Sequence, residues 1–134
     1  GESLLFRAAS LAVLGDIQKG FDVVLHPVAF AGWIGLLVTA LNLLPAGQLD
    51  GGHIAYAMLV GAYGKVSRAV PFLLLPMVYF WGGWIIWSMI LFVMGTAHPP
   101  PVYDEIPLSR GRRAVGIFAG LLFLVCFTPN PVPM

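Results

Sequence analysis

One segment sets the architecture of this chain, and it reads Asn42-Leu43-Leu44-Pro45-Ala46-Gly47-Gln48-Leu49-Asp50-Gly51-Gly52. A straight helix over the surrounding apolar residues 23–61 would be roughly 58 Å long, while the hydrocarbon core of a bilayer is about 30 Å thick. Pro45 lacks a backbone donor and disfavours helix at the residue before it, and two glycines follow Asp50. We therefore predict one broken helix here, whose irregular backbone is buried in protein or lines a cavity.

The composition is that of a membrane protein. The 134 residues are 59% hydrophobic and 10% charged, with a mean hydropathy of +0.89. A soluble domain carries about 25% charged residues, so the composition excludes both an ordinary water-soluble domain and a disordered chain. The net charge of +1 provides no basic surface, so no nucleic-acid partner is expected. The single cysteine, Cys126, excludes an intramolecular disulfide and a cysteine-based zinc cluster.

Long stretches without charge lie at residues 23–49, 69–103 and 114–134. Because about 20 apolar helical residues cross a bilayer, we predict an all-α polytopic membrane protein with about three to four transmembrane segments. The expected partner of these segments is the lipid bilayer. The predicted single membrane-embedded domain, residues 1–134, divides into an amphipathic interfacial segment at 1–22, a broken transmembrane region at 23–61, a transmembrane segment at 71–97, a Pro-rich extramembrane loop at 98–113 and a C-terminal transmembrane segment at 114–134.

Two of these segments carry further local signals. Ser3, Arg7 and Ser10 share one face of the first predicted helix, which is too short to cross a bilayer and is expected to lie in the interface. Pro76 and the Gly82-Gly83 pair predict a kink within a single span at 71–97.

Asp50 is the only acidic residue between Asp22 and Asp104. A carboxylate near the middle of a membrane costs about 2.5–3.5 kcal/mol on insertion scales, so something must compensate for it. Three explanations are open at this point. Asp50 caps a helix that begins at Gly51, it lies in a water-filled notch, or it is a metal ligand.

The segment resembles the Asn-x-x-Pro-x-x-x-Leu-Asp-Gly signature of the site-2 protease family, which are intramembrane zinc metalloproteases. Every fixed position of that signature is matched by residues 42–51. The wider sequence is most similar to the archaeal, cyanobacterial and chloroplast branch that lacks a PDZ domain. The residues that carry this wider likeness are Gly1-Glu2-Ser3-Leu4-Leu5-Phe6, His26-Pro27, Ala31-Gly32-Trp33 and Phe127-Thr128-Pro129.

The resemblance implies a role for each residue of the motif. Asp50 would be a zinc ligand, and Asn42 a catalytic amide that hydrogen-bonds the substrate or the developing oxyanion, although it could equally satisfy carbonyls freed by Pro45. Pro45 would fix the turn, and Gly51 and Gly52 would let backbone approach the metal closely. His53, one helical turn after Asp50, either supports the site by hydrogen-bonding a ligand or lies among the lipid headgroups, and it is a poorer candidate for the metal itself. Gln48 either lines the cleft or solvates the loop.

The family's other two zinc ligands and its general base come from a His-Glu-x-x-His motif, which this sequence lacks. Its three histidines are His26, His53 and His98, and no two are four residues apart. Since the first residue is Gly1, we expect the motif on an upstream segment of a longer parent chain, and the alternative is an inactive relative. His26 and His98 are interpreted as interfacial residues.

The resemblance therefore predicts the C-terminal part of an intramembrane zinc metalloprotease, which cleaves in or near a transmembrane helix of a substrate protein. The 134 residues alone are expected to be inactive. The alternative is a non-catalytic pseudoprotease or a membrane scaffold or binding module. The expected location is an integral membrane position, in a prokaryotic cell membrane rather than an organelle.

Overall fold

The computed structural model describes residues 1–16, 24–99 and 106–132, and across these ranges the chain forms six helices and no strand. The all-α prediction is therefore confirmed for this part of the chain. In chain order the helices are α1 (Leu4–Leu14), α2 (Pro27–Asn42), α3 (Asp50–Met58), α4 (Tyr63–Met77), α5 (Gly83–Met94) and α6 (Arg110–Cys126).

Among the described residues, no helix has both the length and the apolar character required to cross a membrane. The longest of them, α6, has 17 residues. The prediction of three to four spans is not met in these ranges, because helices end inside the apolar stretches that the composition suggested were continuous.

The predicted span at 71–97 is the clearest correction. Helix α4 ends at Met77, and α5 begins at Gly83 and packs back along α4 in the antiparallel sense. The direction follows from side-chain pairs, since Ser67 Oγ donates to the carbonyl of Thr96 at 2.7 Å and Ser88 Oγ donates to that of Pro71 at 2.8 Å. The prediction of one kinked span was wrong, because the chain turns fully between two helices where Pro76 and the glycine pair weaken helix formation.

The other break lies where the sequence predicted it, between α2 and α3. The intervening loop, residues 43–49, is not a surface connection. Its Leu44 and Ala46 are 3% and 0% exposed, and both belong to the hydrophobic core. The remaining core residues come from α2, α4 and α5, and they are Leu41, Val70, Leu74, Trp84 and Leu91. The irregular backbone at Leu44, Ala46 and Gly47 is thus buried in protein, where its polar groups need hydrogen-bond partners.

The two ends of the chain differ in detail from prediction. Helix α1 begins after Ser3, whose side chain accepts a hydrogen bond from the Phe6 amide at 3.2 Å, and residues 17–22 of the predicted interfacial segment lie outside the described ranges. The predicted loop at 98–113 is shorter than expected, because Ser109 caps α6 by accepting from the Arg112 amide at 3.3 Å. Residues 100–105 and 133–134 are not described.

Candidate metal and substrate site at the helix break

Asp50 is the first residue of α3 and its carboxylate is exposed. The N-cap position is taken by Leu49, which has extended backbone and no capping side-chain bond. Of the three explanations that the sequence leaves open for Asp50, the cap of a helix beginning at Gly51 does not hold, because α3 starts one residue earlier. A carboxylate in a first helical turn is favoured by the helix dipole. Within the described ranges, it has no hydrogen bond or ion pair, so its oxygens are open to an external partner.

Asn42 is the last residue of α2 and is also exposed. Its amide makes no hydrogen bond to the parts of the chain that are described, so it does not satisfy the carbonyls near Pro45. The two polar residues of the motif thus stand at the two ends of loop 43–49. Gln48 is an exposed residue of the same loop.

The loop consists of consecutive tight turns. The Ala46 amide donates to the Leu44 carbonyl at 2.8 Å across half-buried Pro45, and the Leu49 amide donates to the Ala46 carbonyl at 3.3 Å. The fixed φ of proline and its missing donor are compatible with the centre of such a turn. Pro45 therefore lies at the first bend between Asn42 and Asp50.

Gly51 and Gly52 are buried in the first turn of α3. A Cβ on Gly51 would overlap the carbonyls of Leu43 and Leu44, and one on Gly52 would overlap those of Ala46 and Gly47. The family resemblance implies that these glycines let backbone approach a metal closely. In the structure their close neighbour is the loop's own backbone, and the absence of side chains lets α3 pack directly on loop 43–49.

His53 lies one helical turn after Asp50 and contacts His98, which is 45 residues away in sequence. Nδ1 of His53 is 2.6 Å from Nε2 of His98, and Nδ1 of His98 is 2.7 Å from the Pro99 carbonyl. Since a carbonyl only accepts, neutral His98 must donate from Nδ1, and its Nε2 then accepts from His53. The ring of His98 also stacks on Tyr56, with centroids 4.4 Å apart.

This histidine pair was not foreseen from the sequence, where His98 was interpreted as an interfacial residue. No sequence spacing predicts a contact between His53 and His98, because helices α4 and α5 lie between them along the chain. His26 also has a specific role, since its Nδ1 accepts from the Val28 amide at 3.3 Å and caps α2. In the sequence, Pro27 directly after His26 indicates that a helix begins there, because proline favours the first helical position.

An apolar cavity of about 230 Å³ adjoins the loop, between α3 and α6. Its lining includes Leu43, Pro45, Gly51, Ala55, Gly116 and Phe123. The motif's backbone therefore forms one wall of an apolar space, while its polar side chains are exposed nearby.

The described residues do not complete a metal site. Across the ranges 1–16, 24–99 and 106–132, no group of three or more His, Cys, Asp or Glu side chains could hold a metal ion. Catalytic zinc sites use three protein ligands and an open position. The unpartnered carboxylate of Asp50 is suited to be one such ligand, and a complete site would need two more.

The fold and the site together define a helical protein with a helix break at loop 43–49. One carboxylate and one amide, both without a hydrogen-bond partner among the described residues, stand at the two ends of that loop. Residues 10–81 match Peptidase family M50, the site-2 protease family, and the chain belongs to it. The matched region contains the whole helix break.

Curated relatives cover nearly all of this chain. It is 34% identical over 125 residues to the probable zinc metallopeptidase EGY3, chloroplastic, of Arabidopsis thaliana, covering 88% of this chain and 21% of that protein. It is 30% identical over 139 residues to the probable zinc metalloprotease EGY2, chloroplastic, of Oryza sativa subsp. indica, covering 98% of this chain and 25% of that protein. For the probable zinc metalloprotease EGY1, chloroplastic, of Arabidopsis thaliana, the identity is 34% over 143 residues, covering 97% of this chain and 24% of that protein.

The chain therefore spans a quarter or less of the length of these three relatives. All three names place the proteins in the chloroplast, so they give no support to the expected prokaryotic membrane. No solved structure matches the chain.

Proposed function

We propose that this chain supplies the C-terminal part of an intramembrane zinc metalloprotease and contributes Asp50 as one zinc ligand. The observation that carries the proposal is the exposed Asp50 carboxylate, which has no partner within the described ranges and stands at a helix break that matches the family motif. The relatives' names, which include zinc and peptidase activity, support the same reaction class.

Zinc, when bound, would polarise a peptide carbonyl and activate a water molecule. Asp50 would hold the ion, together with two histidines from a His-Glu-x-x-His segment that is absent from these 134 residues. Asn42, at the other end of loop 43–49, would donate its amide N–H to the substrate backbone or to the oxyanion. This chain thus contributes one ligand and one orienting group.

A membrane setting for the protease is supported by the exposed apolar residues of several helices. Val28 of α2 is 73% exposed, Val93 of α5 is 88% exposed, and Val115 of α6 is 67% exposed. Large exposed apolar side chains on several helices of one short chain favour contact with lipid or another protein. The proposed partners are the bilayer, a transmembrane helix of the substrate and the segment that bears His-Glu-x-x-His.

The test uses the protein in which this chain is present together with its His-Glu-x-x-His segment, referred to below as the assembled protease. Bound zinc is measured by elemental analysis, and cleavage is measured on a tagged single-span reporter protein. Asp50→Asn should lower zinc content well below one ion per protein and abolish cleavage. Asp16→Asn, which changes another exposed aspartate outside the motif, should leave both unchanged.

Full zinc content and normal turnover in the Asp50→Asn protein would overturn the ligand assignment. If the gene upstream of Gly1 encodes no His-Glu-x-x-His on a hydrophobic helix, the protease proposal fails. The chain would then be a pseudoprotease or a membrane-binding module.

A further inference from the structure

Gly47, in the middle of loop 43–49, has a backbone conformation that favours glycine. Its φ is +56°, and a Cβ at this position would lie 2.8 Å from the carbonyl oxygen of Gly95. Gly47 is buried, so its N–H and C=O both need partners within the protein. Neither partner is a backbone group.

Both partners are side chains of α4. The hydroxyl of Tyr63 donates to the Gly47 carbonyl at 2.9 Å, and the Gly47 amide donates to Ser67 Oγ at 3.0 Å. Tyr63 and Ser67 are four residues apart and therefore share a helix face. They are 6% and 0% exposed, respectively. One face of α4 thus holds both polar groups of a single loop residue.

Ser67 also joins the loop to the segment after α5. Its hydroxyl proton goes to the Thr96 carbonyl at 2.7 Å, so its donor and one acceptor position are both used. Loss of this hydroxyl would leave the buried Gly47 amide and the partly buried Thr96 carbonyl without this partner. Such unsatisfied groups are costly, so the arrangement strongly favours one loop conformation.

The position of Gly47 affects the candidate site directly. The loop joins Asn42 to Asp50, and the first turn of α3 packs at Gly52 against the carbonyls of Ala46 and Gly47. A shift of Gly47 would therefore move the start of α3 and the Asp50 carboxylate with it. Zinc ligation and carbonyl stabilisation both tolerate only small displacements of the groups involved.

We propose that Tyr63 and Ser67 are positioning residues of the protease site, which act through Gly47 to hold Asp50 and Asn42 in place. This inference rests on the proposed function. Neither residue belongs to the sequence motif, and neither is expected to touch substrate or metal.

The experiment compares Tyr63→Phe and Ser67→Ala with Ser88→Ala in the assembled protease. Ser88 is a matched control, because it is 0% exposed and its Oγ donates to a backbone carbonyl at 2.8 Å, but its bond joins α4 to α5 away from the loop. The readouts are hydrogen exchange of residues 43–49 in the zinc-free protein, zinc affinity by chelator competition, and kcat and KM on the reporter.

Tyr63→Phe should speed exchange of the loop amides about tenfold, which corresponds to the loss of one buried hydrogen bond. Ser67→Ala removes two hydrogen bonds and should speed this exchange at least as much. Zinc affinity and kcat should fall several-fold, with KM unchanged. Gly47→Ala should have the same effects on loop exchange, zinc affinity and kcat. It disturbs the loop directly and leaves the hydroxyls of Tyr63 and Ser67 in place. Ser88→Ala should reduce thermal stability and leave loop exchange, zinc affinity and kcat at wild-type values.

If Ser67→Ala and Tyr63→Phe match Ser88→Ala in every readout, the positioning role is refuted while the protease proposal stands. If Asp50→Asn keeps its zinc and activity, the proposed function fails instead. The loop-exchange result then still decides whether the two hydroxyls fix the loop conformation.

Discussion

The imidazole rings of His53 and His98 meet edge to face, with centroids 4.7 Å apart and an interplanar angle of 85°. The contact joins α3, just after the Asp-Gly-Gly turn, to the segment that follows α5. With the stacking of His98 on Tyr56 and the bond from Ser67 to Thr96, it fixes residues 95–98 beside the helix break. The candidate site is therefore supported by a part of the chain that lies far from the motif in sequence.

Substitution of His98 should separate its hydrogen bonds from its ring contacts. His98→Phe keeps an aromatic ring to stack on Tyr56 and loses the bonds to His53 and to the Pro99 carbonyl, so it should reduce the free energy of unfolding by about 0.5–1.5 kcal/mol for each bond. His98→Ala also removes the ring contacts and should cost more. Denaturant titration measures both variants. Equal stabilities for wild type and His98→Ala would show that the contact contributes nothing.

The two glycines of the motif should not tolerate a methyl group. Gly51→Ala and Gly52→Ala place a Cβ against the loop carbonyls, and overpacking against backbone costs about 1–3 kcal/mol or more. Gly64→Ala is the control, because this helical glycine has open space around its Cβ position, and alanine should stabilise α4 by up to about 1 kcal/mol. The measurement is the free energy of unfolding. A stable Gly51→Ala protein would contradict the observed packing of α3 on the loop.

Trp84 should contribute more to the free energy of unfolding than Trp87, one helical turn further along α5. It is 1% exposed, and its Nε1 donates to the Pro129 carbonyl at 2.6 Å, which attaches the residues after α6 to α5. Trp84→Phe should reduce unfolding free energy by about 1–3 kcal/mol, because the carbonyl loses its donor and the core loses volume. Half-buried Trp87, changed to Phe, should have a smaller effect. Equal losses would argue against the bond.

Asn42 should affect catalysis and not zinc content. In the assembled protease, Asn42→Ala should lower kcat about 100-fold if the amide stabilises the oxyanion. Gln48→Ala removes another exposed amide from the same region and is expected to leave kcat near the wild-type value. Reporter cleavage and elemental analysis measure the two effects. Unchanged kcat in Asn42→Ala would remove the proposed catalytic role.

The 134-residue chain alone should bind zinc weakly, since one carboxylate cannot replace a three-ligand site. Elemental analysis after dialysis should find much less than one zinc per chain, and addition of the His-Glu-x-x-His segment should raise it towards one. A tightly bound stoichiometric ion in the isolated chain would show that another ligand set exists within these residues.

The all-helical class, the helix break and the family motif could all be predicted from the amino-acid sequence. These features depend on local chemistry: apolar runs favour helices, Pro45 and the glycine pair interrupt them, and the motif is contiguous at residues 42–51. The position of the break follows from this short segment.

The residues that surround the motif could not be predicted without the tertiary structure. The return of α5 along α4, the side chains of Tyr63 and Ser67 on Gly47, and the contact between His53 and His98 all join residues at least 16 positions apart. Such pairings depend on how helices pack, and the periodicity of a sequence reports which face of a helix is apolar but not which partner covers it. For the same reason the sequence could suggest that Gly51 and Gly52 admit a close neighbour, while the fold determined that this neighbour is the loop's own backbone.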